Sequence, residues 1–247
     1  TDPNNPTPGS VDPKFQLIFI QGRGIPYANQ WQQIDQLMIS TLCEYSANDG
    51  LSASDYNIDS RYIDDLWNLS YTVLTNANSL ISANEDKPIY NNVVQMARIW
   101  KAYVMLRLTN CIGDVPYSEA ADDIDQPKYD TQKDIYYTIF DELKDAVSKL
   151  DESAANNVGS YDLIYGGDAA KWKKFANSIR LRMAVRISDV DAAKAKTEAE
   201  AAITAGVFAG EDDAAYMKQG EDKFSQNPIY SVSYTHLRAH ETCADLV

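Results

Sequence analysis

His236 and His240 stand one helical turn apart beside Glu241 and Cys243, a spacing that can present a zinc-binding face. The stretch that holds them, SVSYTHLRAHET from Ser231 to Thr242, resembles a translated sequencing adapter, so no metal site is assigned to it. Asp114 and Glu119 offer paired carboxylates of the kind used in general acid/base work on glycosidic bonds. Nothing in the sequence around them supplies a raised pKa or a supporting partner, so they are read as turn-capping acids and no catalytic residue is expected. Lys171, Lys173, Lys174, Arg180, Arg182 and Arg186 form a basic stretch suited to an anion. In a chain of net charge −14, pairing with Asp and Glu on adjacent helices is the expected use of those cations. Cys43, Cys111 and Cys243 are widely spaced and show no metal-ligand pattern. Cys43 and Cys111 fall among apolar helical residues and are read as buried thiols, with a pairing between them left open.

The elements that must position these groups are helices. Residues 1–13 are rich in Pro, Asn and Asp without apolar periodicity and read as an extended tether. Apolar residues then recur at three, four or seven positions over about 14–22, 26–47, 61–83, 88–110, 131–150, 169–187 and 191–205, which predicts seven helices and no strand. The helix over 88–110 carries Val93, Ala97, Trp100, Val104 and Leu108 on one face, while Ile99, Tyr103 and Leu106 widen that face towards burial on two sides. Trp31, Trp67, Trp100 and Trp172 each lie on an apolar stripe and are assigned to the core. Helices of this length joined by short loops imply an all-α fold, a tetratricopeptide-like array of helical hairpins.

Composition narrows the function. A pI of about 4.5 sets the chain against phosphate backbones, which excludes nucleic acid as a partner. No apolar run approaches the roughly 18 residues of a membrane-spanning helix. Tyrosine, with 16 copies, outnumbers phenylalanine and tryptophan together, a balance that suits either ring contacts to polar ligands or amphipathic helix packing.

Three ordered blocks carry a family resemblance. Gly113-Asp114-Val115-Pro116-Tyr117-Ser118-Glu119-Ala120 matches the G-D-[VI]-P-Y-[ST]-E-A hallmark of the SusD/RagB outer-membrane lipoproteins, although the usual aspartate-aromatic lead-in is replaced by Asn110-Cys111-Ile112. Pro127-Lys128-Tyr129-Asp130 with Ile135-Tyr136 is similar to the segment that opens the family's next helix. Gly167-Asp168 through Trp172 to Arg182 resembles its G-D-x-x-K-W-x-K-x-A-N-S-L-R-L-R helix. The resemblance covers roughly residues 1–230 and implies the N-terminal part of a SusD-like helical domain over 14–230, an incomplete α-solenoid core. It leaves 231–247 as a foreign tail, and the natural sequence is expected to diverge near Tyr230.

By the same resemblance the protein is a binding protein and not an enzyme, needs no cofactor, and faces outward from the outer membrane. Its membrane contact is an N-terminal lipid anchor that the given chain does not contain. It hands an oligosaccharide or peptide to a SusC-like TonB-dependent transporter. The region that resembles the family's ligand surface holds Tyr56, Asn57 and Tyr62, the candidate ligand-binding residues. A helical-repeat scaffold binding another protein, without a small ligand, is the alternative reading, and a glycoside hydrolase is a third that no motif supports.

Overall fold

The computed structural model describes residues 11–25, 60–120 and 126–218, the side chains of 60–63 excepted. Among these are α1 (Pro13–Gly24), α2 (Ser60–Asn84), α3 (Asn91–Ile112), α4 (Gln132–Lys149), α5 (Ala169–Arg186) and α6 (Ala192–Ala205), with single 3-10 turns at Pro88–Tyr90, Gly159–Tyr161 and Glu211–Asp213. The described residues contain no strand, only an isolated antiparallel bridge between Val115 and Asp130. The fold is an all-α helical-hairpin array, as the periodicity predicts. The helix expected over 26–47, with Trp31 and Cys43, lies outside the described residues, as does the tail over 231–247.

Two compact units divide the chain, one comprising Thr1–Gly24 with Asn68–Tyr216, the other Ile25–Trp67 with Met217–Val247. In the first, α3 packs on α1 and α4, α4 on α5, and α5 on α6. Burial of α3 on two sides follows from its widened apolar face: Val93, Ala97, Ile99, Trp100, Val104, Leu106 and Leu108 are all buried. Each buried Val, Ile or Leu among them contributes about 1.5–3 kcal/mol by leaving water. The stripe Trp172, Phe175, Ala176, Ile179 and Met183 does the same for α5. Two expected core or buried positions differ. Trp67 is half-buried, and Cys111 is exposed because it sits in the last turn of α3, where Ile112 and Gly113 are also only partly covered.

Local chemistry sets the helix ends. Thr131 caps α4, its Oγ1 accepting the Asp134 backbone N–H at 3.1 Å while its hydroxyl donates to the Asp134 carboxylate at 2.7 Å. Asp168 and Asp191 cap α5 and α6 in the same manner, accepting the backbone N–H of Lys171 and Lys194. Thr131→Ala is expected to lower the free energy of unfolding by about 1 kcal/mol, read as a lower urea midpoint with an unchanged slope.

Two buried carboxylates hold the helices in register. Asp162, in the connection between α4 and α5, accepts from the Trp172 indole (2.7 Å), the Gln21 side-chain amide (2.8 Å) and the Gly167 (2.8 Å) and Ile164 (3.1 Å) backbone N–H groups. Gln21 in turn accepts the Leu163 backbone N–H at 2.8 Å, so one acid joins α1, α5 and the connection. Glu198 of α6 meets Arg180 of α5 at 3.0 Å, Lys144 of α4 at 2.9 Å and Lys194 at 3.1 Å.

Candidate functional site

Of the residues the sequence nominates, Tyr56 and Asn57 lie outside the described residues. Tyr62 falls in the first turn of α2, and its side chain also lies outside the described ones. The hallmark block can be followed atom by atom. Gly113 ends α3 with φ +92°, a conformation that other residues rarely adopt, and its N–H bonds the Thr109 carbonyl at 2.8 Å. Beyond it Val115 forms an isolated antiparallel bridge with Asp130. Asp114 Oδ1 accepts the backbone N–H of Gln132 (2.8 Å) at the start of α4, and Tyr71 of α2 donates to the Pro116 carbonyl (2.7 Å).

Asp130 clamps the block from the opposite side. Its carboxylate takes the backbone N–H of Tyr117 (2.9 Å) and Ser118 (2.7 Å) and the Ser118 hydroxyl (2.9 Å), while its own N–H bonds the Val115 carbonyl (3.1 Å). Burial raises the Asp130 pKa, but the N–H groups of Ser118 and Tyr117 and the charge of Lys128 outweigh it and hold the carboxyl below its usual range. Two sequence blocks that resemble one family thus meet in space, and the aspartate of the second organises the first. Glu119 pairs with Lys128 at 2.9 Å, whose hydrogen bonds lower the carboxyl's pKa. Asp114 and Glu119 are therefore occupied in fixing turns, and the pair shows no acid/base arrangement.

Beside this block opens a cleft of about 650 Å³. α2 supplies Leu74 and Asn78, α3 supplies Arg98 and Lys101, and α4 supplies Thr138, Asp141 and Glu142, and Tyr117 and Ser118 of the hallmark block complete the lining. Glu142 gathers two of these groups: Lys101 Nζ lies 2.7 Å from Oε1, and the Tyr117 hydroxyl donates to Oε2 at 2.6 Å. Arg98 stands 3.8 Å from Glu142 and pairs more closely, at 2.5 Å, with Asp145. Lys101 also donates to Asn78 Oδ1 at 3.3 Å. Burial, followed by the neighbouring Glu142 carboxylate, pushes the Tyr117 phenol well above its ordinary pKa, so it stays protonated and remains a donor. Sequence reasoning passed over Arg98, Lys101 and Glu142. Their signal was present as charged residues set beside Trp100 and Leu143 on helices with wide apolar faces, but periodicity alone does not say which charges face one another.

The basic stretch of α5 divides. Lys173 pairs with Glu152 (2.7 Å), Lys174 with Asp213 (2.8 Å) and Arg180 with Glu198 (3.0 Å), as expected, whereas Lys171 donates to the Asp212 carbonyl (2.9 Å) and Arg182 and Arg186 form no ion pair with a described carboxylate. Among the described residues no cluster of His, Cys, Asp and Glu has the make-up of a metal site, and no helix is long and apolar enough to cross a membrane.

Residues 17–247 match the model of a SusD-like family described as starch-binding and associating with the outer membrane. No curated protein matches significantly. Among solved structures, a chitin-binding protein is 35% identical, with 83% of this chain aligned to 46% of that one at a TM-score of 0.73. A SusD homolog from Parabacteroides distasonis is 30% identical over 91% of this chain and 46% of its own, with a TM-score of 0.79. A chitin-binding SusD homolog from Flavobacterium johnsoniae is 28% identical over 90% of this chain and 47% of its own, with a TM-score of 0.70. The chain spans a little under half the length of these solved relatives.

Proposed function

Because the chain belongs to the SusD-like family, whose description is starch-binding and association with the outer membrane, we propose that it is part of a cell-surface receptor that captures a glycan without cleaving it. The observation that carries this reading is the family match across residues 17–247, reinforced by two solved relatives whose own names state chitin binding. Lipid anchoring, an outward orientation and delivery to a SusC-like TonB-dependent transporter complete the proposal, with a peptide as the other ligand class. A sugar's apolar face lies against aromatic rings while its hydroxyls bond amides and carboxylates, which is the chemistry that Tyr56, Asn57 and Tyr62 offer.

Replacing both tyrosines tests the site. Tyr56→Ala with Tyr62→Ala is expected to weaken glycan binding at least tenfold by isothermal titration while the thermal midpoint stays within a few degrees. An unchanged affinity would remove these residues from the site. Reducing-end release from the bound glycan, measured over days, is expected to stay at the background of the protein-free control; turnover above it would overturn the non-enzymatic reading.

A further inference from the structure

We infer that the cleft beside Tyr117 is a second glycan-binding site, one that takes a neutral sugar by its hydroxyl groups. The inference rests on the receptor reading above but uses none of its nominated residues. At about 650 Å³ the opening falls within the roughly 300–1,000 Å³ range of small-molecule sites. Charge decides the ligand class. Arg98 and Lys101 are balanced by Asp141 and Glu142, so the lining sums to zero. An ionic ligand would have to unseat the 2.7 Å pair between Lys101 and Glu142, whereas a neutral polyol need not.

Capacity for a hydroxyl-rich ligand remains in the paired groups. An ammonium carries three donors, and Lys101 directs two of them to Glu142 and Asn78. Thr138 and Ser118 are exposed members of the lining and the Asp141 side chain is 72% exposed, so two hydroxyls and a carboxylate are open to a ligand. Leu74 adds an apolar contact for the C–H face of a ring. The paired groups are rigid. Lys101 and Glu142 are only 12% and 11% exposed, and Ser118 is held by the Asp130 clamp, so little ordering is needed on binding. Low exposure of Lys101 and Glu142 also strengthens each hydrogen bond made to them.

The test uses the full chain, titrated with chitotetraose and maltotetraose in a calorimeter and followed by NMR. Thr138→Trp adds bulk at an exposed lining position, and Asn78→Ala removes a lining amide without adding bulk; thermal melts confirm folding of each. Expected is a wild-type stoichiometry of two sugars per chain, falling to one in Thr138→Trp, and a cleft affinity at least tenfold weaker in Asn78→Ala. Unaltered stoichiometry and affinity in both folded variants would overturn the inference. If binding vanishes entirely in the Tyr56→Ala, Tyr62→Ala protein while the cleft is intact, the cleft is no site and the receptor reading stands. Binding that survives the tyrosine variant and is lost on adding Thr138→Trp establishes the cleft alone. Absence of any binding by the wild type to either sugar overturns the cleft assignment and removes this support from glycan capture.

Discussion

Glu198→Ala is expected to lower the free energy of unfolding by about 3–5 kcal/mol, the range for removing one partner of a buried ion pair. The carboxylate is 3% exposed and is the single acceptor shared by Arg180, Lys144 and Lys194. Without it, Arg180, itself 4% exposed, keeps a charge with no counterion in the hairpin of α5 and α6. Lys144 retains Asp141 at 2.9 Å and loses less. Urea denaturation followed by circular dichroism checks the size of the effect, and a loss below about 1 kcal/mol would show that the cluster is solvated.

The same carboxylate gives the acid limb of stability a defined position. Burial raises the Glu198 pKa, but the hydrogen bonds of Lys144, Arg180 and Lys194 prevail and bring it to about 2 from 4.5. A depressed carboxyl stabilises the folded state above its unfolded pKa. The contribution is thus complete above about pH 4.5 and is lost as pH falls towards about 2. Glu198→Gln, which cannot ionise, is expected to flatten stability against pH across that window, apart from the slope contributed by other carboxylates.

Asp162→Ala is the second large effect, expected at about 3 kcal/mol or more. The substitution strands the Trp172 indole N–H, the Gln21 amide and the Gly167 and Ile164 backbone donors, all gathered around an acid that is 3% exposed. Each buried donor left without a partner costs about 1–3 kcal/mol, reduced where water enters. Asp162→Asn retains one acceptor oxygen and is expected to cost less than alanine. Because Trp172 is fully buried and bonded to this side chain, the alanine variant should also red-shift the tryptophan emission and speed amide exchange in α1 and the connection before α5. Equal stability of the alanine variant and the wild type would mean that the α1 contact is dispensable.

Helices were legible because their periodicity is local. The stripe of Val93, Ala97, Trp100, Val104 and Leu108 needs only its own spacing to declare a buried face, whereas the caps at Thr131, Asp168 and Asp191 were seen in the structure. Trp67 and Cys111 show where such reasoning stops, since burial near a helix end depends on what covers it. The three family blocks were readable as a string. Their mutual contact was not, because Asp130 reaches Tyr117 and Ser118 through a tertiary turn.

By itself the sequence determined the all-α class, the order and approximate extent of the described helices, and the family, each of which follows from local periodicity or from runs of residues. The tertiary structure alone decided which charges meet. Glu142 with Lys101 and Tyr117, Glu198 with Arg180 and Lys144, and Asp162 with Gln21 all join partners on other elements, distant in the chain. The reason is physical: an isolated charged residue is equally compatible with water and with a partner, and only packing of the helices removes the water and selects the partner.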